Sequence, residues 1–194
     1  MLCVGPYEFK IAESADELDQ VHRLNYRTFV QEIPQHRDSG TGALVDKFHD
    51  KNTYLICMRV GKLVGMLSAH GQPPFSVSDR LPDPSILTRP GIIPLEVRLL
   101  AIEPSERRST LVGGLVWSLH QHARATGHTH FVISGVVEQR DFYEHMGFMP
   151  LGPAVGSGRA SYIPMWATLE DVEATLEWTM RLWARRLERQ ANAG

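Results

Sequence analysis

Apolar and polar residues are spaced so that strands and helices take turns along the chain. Tyr7–Ile11 alternates like a short strand. Ser14 and Glu17 form a capping-box pair, and Leu18, Val21 and Leu24 follow at helical spacing. This predicts a helix running to about Val30 and stopping before Pro34. Gln35–Thr41 is polar and glycine-containing, hence a loop. The apolar runs Thr53–Val60 and Leu63–Ala69 flank Gly61-Lys62, which predicts a hairpin with those two residues as its turn. Gln72–Pro94 carries six prolines and reads as a long irregular connection, the kind of loop that often carries function.

Leu95–Ile102 is a central strand, Leu111–Thr126 the helix after it and His130–Gly135 the next strand. A helix linking two strands implies parallel pairing. Gln139–Met146 is a short helix, Tyr162–Thr168 a last strand and Leu169–Gln190 a long amphipathic helix, with Trp178, Leu182 and Trp183 on its apolar face. The order predicts an α/β (α+β) fold, a mixed central sheet flanked by helices on both faces. Residues 1–168 should form one domain, and residues 169–194 a C-terminal helix packed on it or extending it.

Composition narrows the function classes. Apolar residues at 43% and charged residues at 22% suit a globular protein, and a net charge of −2 gives no reason to expect nucleic acid or an anionic membrane as partner. Cys3 and Cys57 cannot build a disulfide framework. No run reaches transmembrane length and the start lacks a signal-peptide pattern, so the expectation is a cytoplasmic protein without stable membrane insertion, monomeric or homodimeric. His120/His122 and His128/His130 match no zinc spacing, and no metal site is expected.

The candidate chemistry lies where Pro94–Pro104 runs into Ser105–Leu115. An apolar strand holding one internal acid, Glu96, meets a basic, hydroxyl- and glycine-containing turn that opens a helix. Such a helix start points backbone N–H groups at a phosphate. A carboxylate just ahead of it is the layout of an enzyme that takes a group from a phosphate-bearing carrier. Arg98 and Leu100 share the face of Glu96, so Glu96 and Arg98 could also pair for structure. Downstream, Arg140–Phe148 holds a tyrosine four residues ahead of a Gly-Phe pair.

These two motifs, in this order, resemble those of the GNAT acyltransferase superfamily. The resemblance implies a GNAT fold and the three requirements of acyl transfer to an amine: a proton acceptor, donors for the thioester oxyanion and an acid for the leaving thiolate. It assigns them to Glu96, six residues before Ile102, to the backbone N–H of Leu100, where this strand commonly splays or bulges, and to Tyr143. It places the carrier phosphate at Ile102, Arg107, Arg108, Thr110, Leu111, Val112, Gly113 and Gly114. Thr110 and Val112 stand where the superfamily favours small residues, which suits a single phosphate, as in 4′-phosphopantetheine on acyl carrier protein, better than a full CoA pyrophosphate. No tightly bound cofactor is implied, and CoA is the alternative donor. Arg107, Arg108, Arg124 and Arg140 could form a basic patch for the acidic carrier.

A narrower branch fits more closely. Glu96-Val-Arg-Leu is similar to the Glu-x-Ser-Arg-Phe strand of acyl-homoserine-lactone synthases, Asn25-Tyr-Arg-Thr-Phe29 to their N-terminal Arg-x-x-x-Phe helix, and Asp46–Asp50 to their acidic run. Asn25 replaces their arginine and Gln35 falls where they tend to have tryptophan, which argues against S-adenosylmethionine as acceptor. Val30–His36, Asp46–Asp50 and Val132–Gly135 resemble the long-chain N-acyl amino acid synthases, of which the N-acyl tyrosine synthase is the best-known type. This resemblance covers roughly residues 20–168. It implies transfer of a fatty acyl group from acyl carrier protein to the α-amine of an amino acid, an aromatic one such as tyrosine, with Arg98, Phe29 and Ser134 toward the substrate. The rivals are a short-chain acyl-CoA N-acetyltransferase and a non-catalytic GNAT-like binding module.

Overall fold

The computed structural model describes residues 2–33, 35–107, 111–156, 158 and 161–177, which fold as two compact units. The first takes the chain up to Ala69 together with Leu99–Ser118, and the second takes His70–Arg98 and the described chain from Leu119 onward. A helix covers residues 169–177; Trp178, Leu182 and Trp183 lie outside the described residues.

In the first unit, β1 (Leu2–Val4), β2 (Tyr7–Ile11), β3 (Thr53–Arg59) and β4 (Lys62–His70) form an antiparallel meander, with Leu2 opposite Phe9 and Phe9 opposite Cys57. Helix α1 (Ala15–Tyr26) starts on the predicted capping box: Ser14 Oγ accepts from Glu17 N at 3.2 Å, and Ser14 N donates to the Glu17 carboxylate at 3.1 Å. A hydrogen bond from Lys10, then those from the Glu13 and Ser14 backbone, hold the Glu17 carboxyl down at about 2. The predicted helix continues past Tyr26, but its last turn, Arg27–Glu32, widens to a π-helix in which Ile33 N donates to Thr28 O at 2.8 Å.

Val21, Leu24 and Phe29 bury against Tyr54, Ile56 and Met66 of β3 and β4. The neighbouring residue on β4 points the other way, so Gly65 faces Leu111 and Leu115 of α2 (Leu111–Ala125); a Cβ there would lie 2.6 Å from Leu111 Cδ2. Helices therefore cover both faces of β4, as the pattern predicts.

The β3–β4 turn is Val60-Gly61 rather than Gly61-Lys62. Both residues have positive φ, +50° and +71°, as a type I′ turn demands, and Lys62 is already paired in β4. Val60 is 90% exposed, so its β-branched side chain offsets none of the strain of a left-handed backbone. Val60→Asn is expected to raise stability by about 1 kcal/mol, read as a higher midpoint in chemical denaturation with an unchanged slope.

In the second unit, β5 (Pro94–Ile102, whose last residues belong to the first unit) pairs in parallel with β6 (His130–Val136), as a helical crossover requires. Beyond the short α3 (Arg140–His145), β7 (Met149–Pro150) pairs with β8 (Tyr162–Thr168), and β8 runs antiparallel to β6 from Tyr162 opposite Val136 to Thr168 opposite His130. The proline-rich connection holds two 3₁₀-helices, Ser76–Arg80 and Pro84–Thr88, and Phe75, Val77, Leu81 and Leu87 bury with Val132 of β6. It is a packed layer on the sheet.

Candidate functional site

Glu96 is fully buried on β5. Its Oε1 accepts from Ser76 Oγ at 2.8 Å and from Val77 N at 2.7 Å; its Oε2 accepts from Ser76 N at 2.8 Å, with His70 Nε2 at 3.0 Å. Of the roughly four lone-pair positions of a carboxylate, three are taken by these hydrogen bonds. Burial alone drives its pKa up, but the bonds from His70, Ser76 and Val77 outweigh it and leave the carboxyl below its ordinary value. His70, itself buried, has Nδ1 2.9 Å from the Gln72 carbonyl and its ring stacked on Phe75. Arg98 does not pair with Glu96 directly: its Nη1 donates to Ser76 Oγ, which in turn donates to Glu96.

β5 and β6 stay in register from Pro94–His130 to Glu96–Val132, whereas β6 remains paired with β8 as far as Val136. Further along β5, Leu99 has φ +52°, a left-handed backbone at a non-glycine residue. The strand therefore leaves regular pairing in the stretch where the resemblance implies a splay or bulge. The Leu100 side chain is exposed, so a role for this residue falls to its backbone.

Val132 lies opposite Glu96, and Ser134 is on the same face of β6. The Ser134 hydroxyl is buried without a hydrogen-bond partner, an acceptor and donor left unused. On the other face of β6 the Tyr143 ring covers Gly135: a Cβ on Gly135 would lie 2.7 Å and 2.8 Å from two of its ring carbons. Burial pushes the Tyr143 phenol up, partly countered by a hydrogen bond with the Val136 backbone, so the group remains a proton donor at neutral pH.

The Tyr-x-x-x-Gly-Phe spacing has a local cause. Phe148 N donates to Tyr143 O at 3.0 Å and Gly147 N to Glu144 O at 3.0 Å, while Gly147 takes φ +90°. This is a Schellman stop, which needs a residue tolerant of left-handed backbone after the helix and an apolar one after that. It fixes the end of α3 on which Tyr143 stands.

The remaining predicted residues belong to the first unit. Phe29 packs in the core cluster with Leu24 and Met66, and Leu99 packs against it. Arg107 donates from Nη1 and Nη2 to the two carboxylate oxygens of Glu32 and from Nε to the Ile102 carbonyl at 3.2 Å. Arg27 pairs with Glu103, and Glu106 accepts from Tyr7 at 2.6 Å and Arg59 at 2.5 Å. The turn entering α2 is thus fastened through its charged residues. Helical geometry leaves the N–H groups of Leu111, Val112 and Gly113 free to point out of the start of α2, whereas that of Gly114 is used within the helix. Arg108 and Thr110 lie outside the described residues. Of the other arginines suggested for a basic patch, Arg124 pairs with Glu173 and Arg140 with Glu144.

A family model described as "N-acyl amino acid synthase FeeM" matches residues 20–166. The chain belongs to the N-acyl amino acid synthase family. It is accordingly an N-acyltransferase. Among solved structures it is similar to FeeM, an N-acyl amino acid synthase from uncultured soil microbes, with a TM-score of 0.69 at 16% identity over 87% of this chain and 94% of that one. It is also similar to BjaI, a CoA-dependent acyl-homoserine lactone synthase solved with S-adenosylmethionine and isopentyl-CoA (0.69, 18%, 84% and 82%), and to the acyl-homoserine lactone synthase LasI (0.70, 13%, 88% and 94%). These likenesses show the GNAT-like fold that the two motifs imply. No curated protein matches the sequence. Among the described residues no helix is long and apolar enough to cross a membrane.

Sequence reasoning singled out Glu96, Arg98, Ser134 and Tyr143 but missed His70, Ser76 and Val77. Their signal was faint: a histidine ending an apolar strand and a Ser-x-Ser stretch inside a proline-rich segment.

If the Tyr143 ring is what excludes a side chain at 135, Gly135→Ala should cost about 1–3 kcal/mol of stability as an overpacking change. That cost should vanish in a Tyr143→Ala background, which opens the space. A double-mutant cycle by urea denaturation measures it, and equal costs in both backgrounds would acquit the ring.

Proposed function

We propose that this synthase transfers a long-chain fatty acyl group from the 4′-phosphopantetheine thioester of acyl carrier protein to the α-amine of an amino acid, an aromatic one such as tyrosine, in the cytoplasm. The observation that carries this reading is the family match over residues 20–166. The local chemistry agrees with it. The regular β5–β6 pairing ends at Glu96 opposite Val132, ahead of the left-handed Leu99, as a strand that frees backbone N–H groups from the ladder would require. Tyr143 gives its proton to the departing sulfur, the Leu100 N–H receives the oxyanion, and Glu96 with its bonded partners prepares the amine side. The unpartnered Ser134 hydroxyl and Arg98 are the polar contacts offered to the acceptor. Arg107 and the first turn of α2 take the carrier's phosphate.

CoA is the second candidate donor, favoured by the CoA dependence stated for BjaI. The test is a donor series from acetyl to palmitoyl, carried on acyl carrier protein and on CoA. Each CH₂ held out of water is worth roughly 0.8 kcal/mol, so kcat/KM is expected to climb steeply with chain length, level near a dozen carbons and then fall, with carrier-bound donors ahead of CoA at equal length. A profile that is flat or peaks at acetyl points to a short-chain acetyltransferase; a higher kcat/KM with CoA removes the carrier protein. Absence of turnover with every donor favours a binding module.

A further inference from the structure

We infer that Glu96 stays ionised throughout the reaction and is a positioning residue, held by Ser76 and Val77, so that the acceptor's proton never comes to rest on this carboxylate. The inference rests on the acyltransferase reading above and follows from an inventory of hydrogen-bond capacity. A general base needs an open lone pair, and a pKa near the working pH serves it best. Glu96 suits neither demand: Ser76 donates to each of its oxygens and Val77 N to Oε1, His70 Nε2 crowds Oε2 at 3.0 Å, and the carboxyl is held below its ordinary value. The two ring nitrogens of His70 lie 2.9 Å from the Gln72 carbonyl and 3.0 Å from Glu96 Oε2. Two cations are bonded into the cluster: Arg98 donates to Ser76 Oγ and Arg80 to the Ser76 carbonyl at 2.9 Å. Opposite Glu96, Val132, Phe75 and Val77 supply an apolar wall with no side-chain proton acceptor. The three donors from Ser76 and Val77 favour the anion, and protonating it weakens at least one of these bonds.

The reaction balances without Glu96 as acceptor. The amino acid gives its extra ammonium proton to water and enters as the neutral amine. The nitrogen lone pair forms the N–C bond to the thioester carbon and the C–S bond breaks. Tyr143 protonates the sulfur and is restored by the proton the nitrogen sheds, so one N–H proton ends as S–H. What Glu96 contributes is geometry: it holds the Ser76-Val77 turn, and through Ser76 it fixes Arg98.

The acid limb of the kcat/KM–pH profile then belongs to the acceptor's amine. Two acceptors whose amines titrate about one unit apart should show limbs about one pH unit apart, and the limb should stay with the acceptor in His70→Gln, where kcat falls. A limb that keeps its midpoint when the acceptor changes overturns the proposal. Glu96→Gln places an amide NH₂ against at least one donor and can fail to fold, so the second measurement uses the wild-type chain. With ¹³C-labelled glutamate, the Glu96 carboxyl resonance, assigned by its loss in a refolded or soluble Glu96 variant, should stay at its ionised position from pH 8 down to 5. A transition inside that window overturns the inference whether or not a substrate has been found, while a flat resonance with no turnover on any donor faults the acyltransferase reading instead.

Discussion

A carboxylate placed wholly out of water inside a sheet governs the second unit. Removing such an ion from water costs several kcal/mol unless hydrogen bonds replace the lost solvation. For Glu96 the replacement comes from a segment with no strand partners of its own: the backbone N–H groups of Ser76 and Val77. The dependence runs both ways. Without the anion, two backbone N–H groups, a hydroxyl and a buried histidine lose their acceptor. Without the proline-rich segment, the anion could not be buried. The segment's irregularity is therefore a requirement, since residues committed to a ladder could not turn three donors toward one side chain.

Tyr143 is placed by a different kind of constraint. The Schellman stop ends α3 and fixes its end by backbone hydrogen bonds, and a strand residue without a side chain lets the ring lie flat on β6. Neither device involves charge. The electrostatically held Glu96 and the sterically held Tyr143 therefore sit on opposite faces of one strand, and a change in pH or salt that loosens one leaves the other in place.

The elements themselves were largely legible. Tyr162–Thr168 was bounded as predicted, and the capping box, the parallel pairing across α2 and the helices on both faces followed from periodicity and connection type. The short strands β1 and β7 were not, because two or three residues are too few to show an alternation. The hairpin turn lies one residue earlier than the glycine suggests, because the type I′ geometry puts Val60 at its first position despite its side chain. For the site, motif spacing found the residues on regular elements. His70, Ser76 and Val77 escaped because their role comes from folding an aperiodic segment back over β5, a tertiary event that leaves no local pattern. Phe29 shows the converse: it matches a motif and yet belongs to the core.

At the turn entering α2, each acidic residue already has a cation: Glu103 has Arg27, Glu106 has Arg59 and Glu32 holds Arg107. Glu106 is buried and its bonds to Tyr7 and Arg59 are structural, but the Arg107–Glu32 pair is about 40% exposed on both sides. Exposed pairs of this kind are worth only about 0–1 kcal/mol. A phosphate carries more charge than a carboxylate and offers the same two-pronged guanidinium an equally good acceptor. If Arg107 takes the carrier's phosphate as proposed, exchanging Glu32 for it would therefore cost little, and the Glu106–Arg59 and Glu103–Arg27 pairs would not have to break.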